Sequence, residues 1–327
     1  MLPKTDPNHD RLFKIRPLIA ALIKRFRTIP MEKCLSVDEQ ICSTKARSYM
    51  KVYMAKKPHK WGFKIFILSG SLSGFCYYFE IFTGQENDAS KRLLHEPDLG
   101  ASANVVVRMT RPIPNDLNHR VFFDNYFSTL PLISELSKRG IHSVGTMRQN
   151  RLYNDKLPGD KTIMSLPRGS SFEMTINIEN TEITNVTWRD NKVVNLISDF
   201  VGTDPMQKVQ RFDKKLGKKI SIDCPDIVKE YNSSMGGVGL LDILIGRNKI
   251  KIQSKKWYMR IFYHLLDITI TNAWILYKRT NVQRGTAEKL LSLADFRVQL
   301  GESLCKYNSR PIGLVIGDIR PMTNKMH

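Results

Sequence analysis

Apolar positions along the chain follow a helical period first and a strand period afterwards. In the stretch 10–28, DRLFKIRPLIAALIKRFRT, they recur at helical spacing with Arg and Lys on the other side, and Pro17 suits a helix start. The stretch 35–60 shows no clear period and is predicted to be irregular and basic. Two apolar and aromatic runs, 63–68 and 75–82, then flank a Gly/Ser turn, which predicts a β-hairpin.

The next part of the chain alternates between strand and helix patterns. The run RVFF predicts a short buried strand that ends at Asp124. The amphipathic stretch 131–140, PLISELSKRG, predicts a helix stopped by Gly140, and the stretch 141–148 predicts another strand. Strand, helix and strand in succession predict an α/β core.

The pattern of apolar and charged residues changes between 150 and 231, where predicted strands are separated by charged turns. These strands predict an inserted or a continuing β layer, and they read SSFEMTINIE, NVTWRD and KVVNLISDF. Helical periodicity returns from 235 to 278, and the part that begins at Trp257 is apolar nearly all round, which predicts a buried helix. The tail after Arg279 has no strong pattern.

We predict five segments from these patterns. They are a helical or irregular N-terminal flank at 1–58, a first core part at 59–150, a β-rich insertion region at 151–230, closing helices at 231–280 and a C-terminal tail at 281–327.

Composition adds one strong constraint, the charge. The 327 residues are 42% hydrophobic and 9% aromatic, which is typical of a globular protein. However, 51 Lys and Arg stand against 31 Asp and Glu, a formal net charge of +20. This excess favours polyanionic partners, nucleic acid first and an anionic membrane surface second. A cation-rich protein with no nucleic-acid role is the alternative.

The sequence gives no sign of a membrane or secreted protein. No apolar run approaches the roughly 20 residues that span a bilayer, and the first residues lack the apolar core of a signal peptide. The five cysteines are scattered and never spaced CxxC, which predicts reduced thiols and no structural zinc. A cytosolic or nuclear location is expected.

Asp124 is the most suggestive single residue. A carboxylate at the carboxyl end of a buried strand faces the edge of an α/β sheet where ligands bind. Mg²⁺ prefers one or two carboxylates with waters and phosphates, and two such ions support phosphoryl transfer. The structural alternative, which spacing alone favours, is an Asx turn in which Asp124 caps the next helix.

A basic stretch at 247–260, RNKIKIQSKKWYMR, is the second feature. It has six cationic and no acidic residues, and the cations are Arg247, Lys249, Lys251, Lys255, Lys256 and Arg260. Such residues suit phosphate contacts. Trp257 and Tyr258 either stack on bases or turn into the core. A further cluster, KKLGKK at 214–219, is predicted to be a charged hairpin turn.

Several longer motifs occur together and in order between about residues 10 and 280. They are LSVDEQ, KKPHKWGFKIF, FEIFTG, EPDLGASANVVVRM, VFFDNYFSTLPLISELSKRGIHSVGTMRQNR, CPDIVKEYNSSMGGV and SKKWYMRIFYHLLDITITNAW. With these motifs the chain resembles piggyBac-type transposases, in particular the domesticated piggyBac transposable element-derived proteins. The resemblance implies an RNase H-like core of the DDE transposase/integrase type, with a β-rich insertion and helical N- and C-terminal flanks.

The resemblance also implies an activity and a metal. Family members carry out cut-and-paste transposition at TTAA targets with three aspartates that hold two Mg²⁺ ions. Asp124 matches the second aspartate, in Asp-Asn-Tyr-Phe. The first aspartate matches Gly70, or Ser69 if the turn slips by one residue, and the third matches Gly239 in GGVGLLD. Asp242 matches an auxiliary acid.

With two of the three metal aspartates replaced, we expect a DNA-binding protein without transposase activity that holds Mg²⁺ weakly. One alternative is an active Mg²⁺-dependent transposase or nuclease that uses Asp124, Asp242 and a displaced acid such as Glu80. The other is a non-functional remnant or a protein-interaction module. Double-stranded DNA is the expected partner, without a membrane or small-molecule cofactor. A homodimer stays open, and the family suggests a nuclear location.

Overall fold

One mixed β-sheet of nine strands organises most of the molecule. The computed structural model describes residues 6, 9–55, 57–151, 158–214, 216–286 and 290–307. The strands are β1 Cys34–Ser43, β2 Lys51–Tyr53, β3 Trp61–Gly70, β4 Cys76–Ile81, β5 Arg120–Phe123, β6 His142–Met147, β7 Ser171–Ile178, β8 Thr181–Arg189, β9 Val193–Ser198, β10 Gln207–Asp213 and β11 Lys218–Cys224. The helices are α1 Arg16–Phe26, α2 Ala101–Thr110, α3 Leu130–Ser137, α4 Asp160–Ser165, α5 Asp226–Ser234, α6 Gly237–Arg247, α7 Trp257–Gln283 and α8 Leu293–Tyr307.

The sheet has the order β2-β3-β1-β5-β6-β9-β8-β7, and β4 also pairs with β3. Strand β1 runs antiparallel to β3 and parallel to β5, while β5 and β6 are parallel. Strands β7 to β9 extend the same sheet through antiparallel pairing of β9 with β6. These strands, which fall in the predicted β-rich insertion region, thus continue the core sheet. Strands β10 and β11 form a separate hairpin.

Most elements predicted from the apolar pattern are confirmed. The predicted hairpin forms as β3 and β4, and the run RVFF forms β5. Pro17 lies in the first turn of α1, as its fixed φ favours. Gly140 has a φ of +63° just after α3, a conformation that suits glycine at a helix stop. The stretch 214–219 includes the β10–β11 turn, as predicted.

The prediction of an irregular stretch at 35–60 is wrong, because this stretch contains the central strand β1. Ser36, Asp38 and Gln40 share one face of that strand. Ser36 and Gln40 are fully buried although they are polar. Polar residues on a covered face break the simple alternation by which a half-buried strand is recognised.

Two apolar clusters hold the helices on the sheet. In the first, residues from α1, β3, α6 and the first half of α7 pack together, with Ile19, Ile65, Leu241 and Leu265 among its buried members. The second lies under β8, β11 and α5. Helix α6 packs on β1 and β3, which places it beside the polar face of β1.

The described residues from 273 to 307 form a compact unit of their own. Within it, Trp274 Nε1 donates a hydrogen bond to Leu291 O (3.0 Å), and the rings of Tyr277 and Phe296 lie 5.4 Å apart. Helix α8 lies in the tail, for which the sequence showed no strong pattern; residues 308–327 of that tail lie outside the described residues. Across the described ranges, no helix is long and apolar enough to span a bilayer. Cys34, Cys42, Cys76 and Cys224 form no disulfide among the described residues.

Candidate acidic centre and basic segment

Asp124 lies directly after β5, half-buried at the end of the strand. Tyr126 N–H donates a hydrogen bond to its Oδ1 (2.8 Å), which makes an Asx turn. Burial raises the pKa of Asp124, the Tyr126 N–H opposes this, and the charge of Asp38 raises the pKa further. The predicted turn is therefore present, and it holds the carboxylate beside another acid.

Asp38 is the acid that the sequence analysis missed. Val37 pairs with Phe123 in the parallel β1–β5 ladder, so Asp38 and Asp124 follow equivalent positions on neighbouring strands. Such strands lie about 4.8 Å apart. The charge of Asp38 also acts on Asp242. The available signal was the acidic pair within LSVDEQ, a motif that we had used only for the resemblance.

Asp242 lies on α6, and its carboxylate is close enough to Asp38 for the two charges to interact. Gln40 Nε2 donates a hydrogen bond to Asp242 Oδ1 (2.5 Å). Burial raises the pKa of Asp242, against the Gln40 hydrogen bond and the charge of Lys57, which lower it. We call Asp38, Asp124 and Asp242 the acidic centre.

Gly239 lies on α6 between two points of contact with β1. On one side, a Cβ on Gly237 would lie 2.5 Å from Ser36 Oγ. On the other side, Gln40 bonds Asp242. Asp38 lies between Ser36 and Gln40 on the same strand face, and Gly239 lies between Gly237 and Asp242 along α6, so the two positions stand at the same level of the β1–α6 contact, with Gly239 on an exposed side of the helix. A Cβ on Gly239 would meet nothing within 4 Å, so this position has room for a carboxylate.

The structure does not bring Gly70 to the acidic centre. Gly70 pairs with Leu35, three residues before Asp38, which is about 10 Å along the strand. A Cβ at position 70 would lie only 2.3 Å from Glu32 Oε1. The Glu32 carboxylate accepts hydrogen bonds from Leu72 N–H (3.1 Å) and from Ser73 Oγ. The expectation that Gly70, or the neighbouring Ser69, marks a lost metal ligand is therefore corrected, and Asp38 takes that place in the arrangement.

Glu80 is not available as a displaced acid. Arg108, whose side chain is 2% exposed, donates to both Glu80 oxygens at 2.8 and 3.0 Å, and Lys91 Nζ lies 3.2 Å from Oε1. Burial alone would raise the pKa of Glu80, but the Arg108 guanidinium outweighs it and holds this pKa below its usual value. Glu80 belongs to an internal ion-pair network, which corrects the alternative that used it at a metal site.

Glu39 adds a fourth acid beside the acidic centre. Its Oε1 lies 3.7 Å from Lys57 Nζ, which donates a hydrogen bond to the Glu39 carbonyl (2.8 Å). Burial, together with the charge of Asp38, raises the pKa of Glu39 to about 8. The folded protein thus favours the neutral acid at this position.

The stability of the protein, measured over a range of pH, tests the raised pKa of Glu39. The unfolded Glu39 carboxyl titrates near 4.5 and the folded one near 8, so stability that is complete below about pH 4.5 should be lost as pH rises toward 8. Glu39→Gln mimics the neutral acid. In urea unfolding, the wild type and Glu39→Gln should have similar free energies of unfolding near pH 4. Near pH 9 the variant should be more stable than the wild type by at least about 1 kcal/mol. A difference that does not change with pH would contradict the assignment.

The described residues do not complete a two-metal site. Within the ranges given above, no three His, Cys, Asp or Glu side chains converge so that they could hold a metal ion. Asp242 is engaged by Gln40, and position 239 offers no oxygen. The Mg²⁺ pair that the resemblance implies therefore does not fit the residues as they stand.

The stretch 247–260, which we call the basic segment, is anchored at both ends. Ile250 N–H donates to the buried Asp267 carboxylate at 3.2 and 3.3 Å. Arg260 Nη1 donates to Ile252 O (2.5 Å), and Lys249 Nζ donates to Ser43 Oγ (3.2 Å). Arg260 and Lys249 are thus half-buried anchors. The exposed cations of the segment are Arg247, Lys251, Lys255 and Lys256.

Trp257 and Tyr258 belong to the core side of the segment. Both are partly buried and pack against the apolar cluster of α1, β3 and α6. The Lys14 ammonium lies 4.6 Å from the centre of the Tyr258 ring. Of the two roles left open for these aromatics, the structure favours packing in the core. Lys14 is a further cation beside the basic segment.

The fold and the site together define a class of protein. A central strand between an antiparallel hairpin and parallel strands, with carboxylates on neighbouring strands and on a closing helix, is the arrangement of an RNase H-like transposase core. A family model described as Transposase IS4 matches residues 2–274. The chain belongs to this family, within its piggyBac type.

Curated relatives and a solved structure agree with this assignment. Human PiggyBac transposable element-derived protein 2 is 31% identical over 272 residues, 82% of this chain and 45% of the relative. Human PiggyBac transposable element-derived protein 3 is 28% identical over 301 residues, 91% of this chain and 48% of the relative. The chain thus spans about half the length of these relatives.

A cryo-EM structure of a piggyBac transposase synaptic complex with hairpin DNA matches with a TM-score of 0.70 at 21% identity. The match covers 96% of this chain and 64% of that chain. The predicted RNase H-like fold is confirmed by this match.

Proposed function

We propose that this chain is a piggyBac transposase-derived protein that binds double-stranded DNA and does not cut it. The observation that carries the proposal is the basic segment, an anchored stretch with four exposed cations and no acidic residue. The structural relative in complex with hairpin DNA supports a DNA partner for this fold. The formal charge of +20 supports the same class of ligand.

The anchors explain how an irregular segment can bind a polyanion. Because Asp267 and Arg260 hold its backbone, little further ordering is needed when DNA binds. Lys251, Lys255 and Lys256 then present their ammonium groups to phosphates without an acidic neighbour in the segment. Contacts of this kind position a duplex and carry no sequence information.

The absence of cleavage follows from the acidic centre. Two-metal phosphoryl transfer needs carboxylates on both ions to hold the attacking and leaving oxygens. Asp38 and Asp124 are present, but Gly239 supplies no ligand between them and Asp242. Loss of one group at a metal site typically costs about 10–100-fold in metal affinity or activity. A nuclear location and a homodimer remain expectations of this proposal.

A charge-matched pair of variants tests the DNA interface. Lys251→Gln/Lys255→Gln/Lys256→Gln should lower the salt slope of log affinity for a generic duplex by about 3 units, since each phosphate contact contributes about 0.9. Lys192→Gln/Lys218→Gln/Lys219→Gln removes the same charge from the β8–β9 turn and the start of β11, and it should change the slope by less than about 1. Fluorescence anisotropy from low to physiological salt measures both. Equal slopes for the two variants would place the interface elsewhere.

A further inference from the structure

A buried chain of hydrogen bonds leads away from the acidic centre. Gln40 Nε2 donates to Asp242 Oδ1, and His264 Nε2 lies 2.6 Å from Gln40 Oε1. Gln40 and His264 are 0% and 4% exposed. Since the Gln40 amide nitrogen faces the carboxylate, its oxygen faces the imidazole. His264 Nε2 must therefore carry the hydrogen, and Nδ1 can only accept.

The accepting nitrogen of His264 lies buried and unpaired. Among the residues that the structure describes, none donates to His264 Nδ1. A buried polar atom without a partner destabilises the fold, so an orphan acceptor in a native protein calls for a donor. Burial, with the charge of Lys249, lowers the pKa of His264 to about 3, so the ring stays neutral and keeps this acceptor.

A small cavity provides the room for such a donor. It measures about 10 Å³, which is about the space of one water, and His264 is part of its lining. The lining also includes Ser43, Lys249 and Asp267. Lys249 Nζ already donates to Ser43 Oγ and has further hydrogens to offer.

We propose that this cavity is a binding site for a single structural water that completes a relay from Lys249 through His264 and Gln40 to Asp242. The water accepts from the Lys249 ammonium and donates to His264 Nδ1, within the range of two to four bonds that buried water makes. Every donor along Lys249, water, His264 and Gln40 then points toward Asp242. The relay runs from a cation of the basic segment to a carboxylate of the acidic centre, and His264 is a positioning residue for Asp242.

The relay does not depend on DNA binding, so its test needs no nucleic acid. In the full chain labelled with ¹⁵N-histidine, His264 should be neutral near pH 7 with its hydrogen on Nε2, and Nδ1 should show the shift of a hydrogen-bonded acceptor. Lys249→Met should move this Nδ1 resonance and the Gln40 side-chain amide, whereas the matched Lys255→Met should leave both in place. A hydrogen on Nδ1, or equal effects of the two variants, would overturn the proposal.

Two further measurements keep the proposal testable if Lys249→Met folds poorly. Cross-peaks between a long-lived water and the His264 ring protons are expected in the wild type, and a dry cavity would overturn the site. His264→Leu should shift the carboxyl ¹³C resonance of Asp242, because the Gln40 amide loses its support, while the surface control His95→Leu should not. An unmoved Asp242 resonance in a folded His264→Leu variant would remove the positioning role.

Discussion

Gly239→Asp should raise the affinity of the chain for Mn²⁺ or Mg²⁺ by at least about tenfold, the effect typical of one group at a metal site. A Cβ at this position meets no atom within 4 Å, so the new side chain has room. Position 239 lies three residues before Asp242, on an exposed side of α6 at the level of Asp38. Its carboxylate would supply the ligand that the acidic centre lacks.

Gly246→Asp is the matched control for this variant. It lies two turns further along the same exposed side of α6, beyond the residues that contact Ser36 and Gln40, its Cβ also meets open space, and it adds the same charge. Isothermal titration with Mn²⁺ should show tighter binding in Gly239→Asp alone. An equal gain in both variants would indicate a general charge effect and would contradict the assignment of position 239.

Gly70→Asp, in contrast, should destabilise the fold by about 1–3 kcal/mol, the cost typical of adding atoms to a filled place, because the Glu32 side chain must give up its hydrogen bonds with Leu72 and Ser73 to make room. The new Cβ would fall 2.3 Å from Glu32 Oε1, so a second carboxylate would have to enter a place that already holds one. Urea unfolding measures the loss. Glu32→Ala in the same chain should recover part of it, because it frees that space.

The two glycine variants distinguish two assignments of a lost metal ligand, one at position 70 and one at position 239. If Gly70 marked a lost metal ligand, Gly70→Asp would keep its stability and bind Mn²⁺ more tightly. The geometry predicts neither result, since Gly70 lies about 10 Å along the strand from the acidic centre. A stable Gly70→Asp variant with increased Mn²⁺ affinity would restore the original expectation.

The local pattern of the sequence was enough to predict the elements that carry a short-range signal, such as an apolar run, a Gly/Ser turn or a glycine stop. The β3–β4 hairpin, β5 with Asp124 at its end, and the helix stop at Gly140 all follow from short-range signals. Strand β1 could not be predicted in the same way, because its polar face is covered by α6. The central strand, and with it Asp38, therefore became visible only from the strand pairing.

Part of the site depends on contacts that are remote in sequence. The six cations of the basic segment look alike in the sequence, yet Lys249 is held by Ser43 and Arg260 by a carbonyl of the segment itself. Glu80 looked like a spare acid, but Arg108 from α2 neutralises it. Glu80 and Arg108 are 28 residues apart, and Ser43 and Lys249 are 206 residues apart. The periodicity of the sequence cannot predict such contacts.

The most direct test is a gel-shift of supercoiled plasmid with the wild-type chain and Mg²⁺ or Mn²⁺. We predict retardation at low salt, release as the salt approaches physiological strength, and a plasmid that stays supercoiled after the protein is removed. Nicked or linear product that disappears with Asp124→Ala, or a plasmid that is not retarded at any salt concentration, would contradict a transposase-derived protein that binds DNA without cutting it.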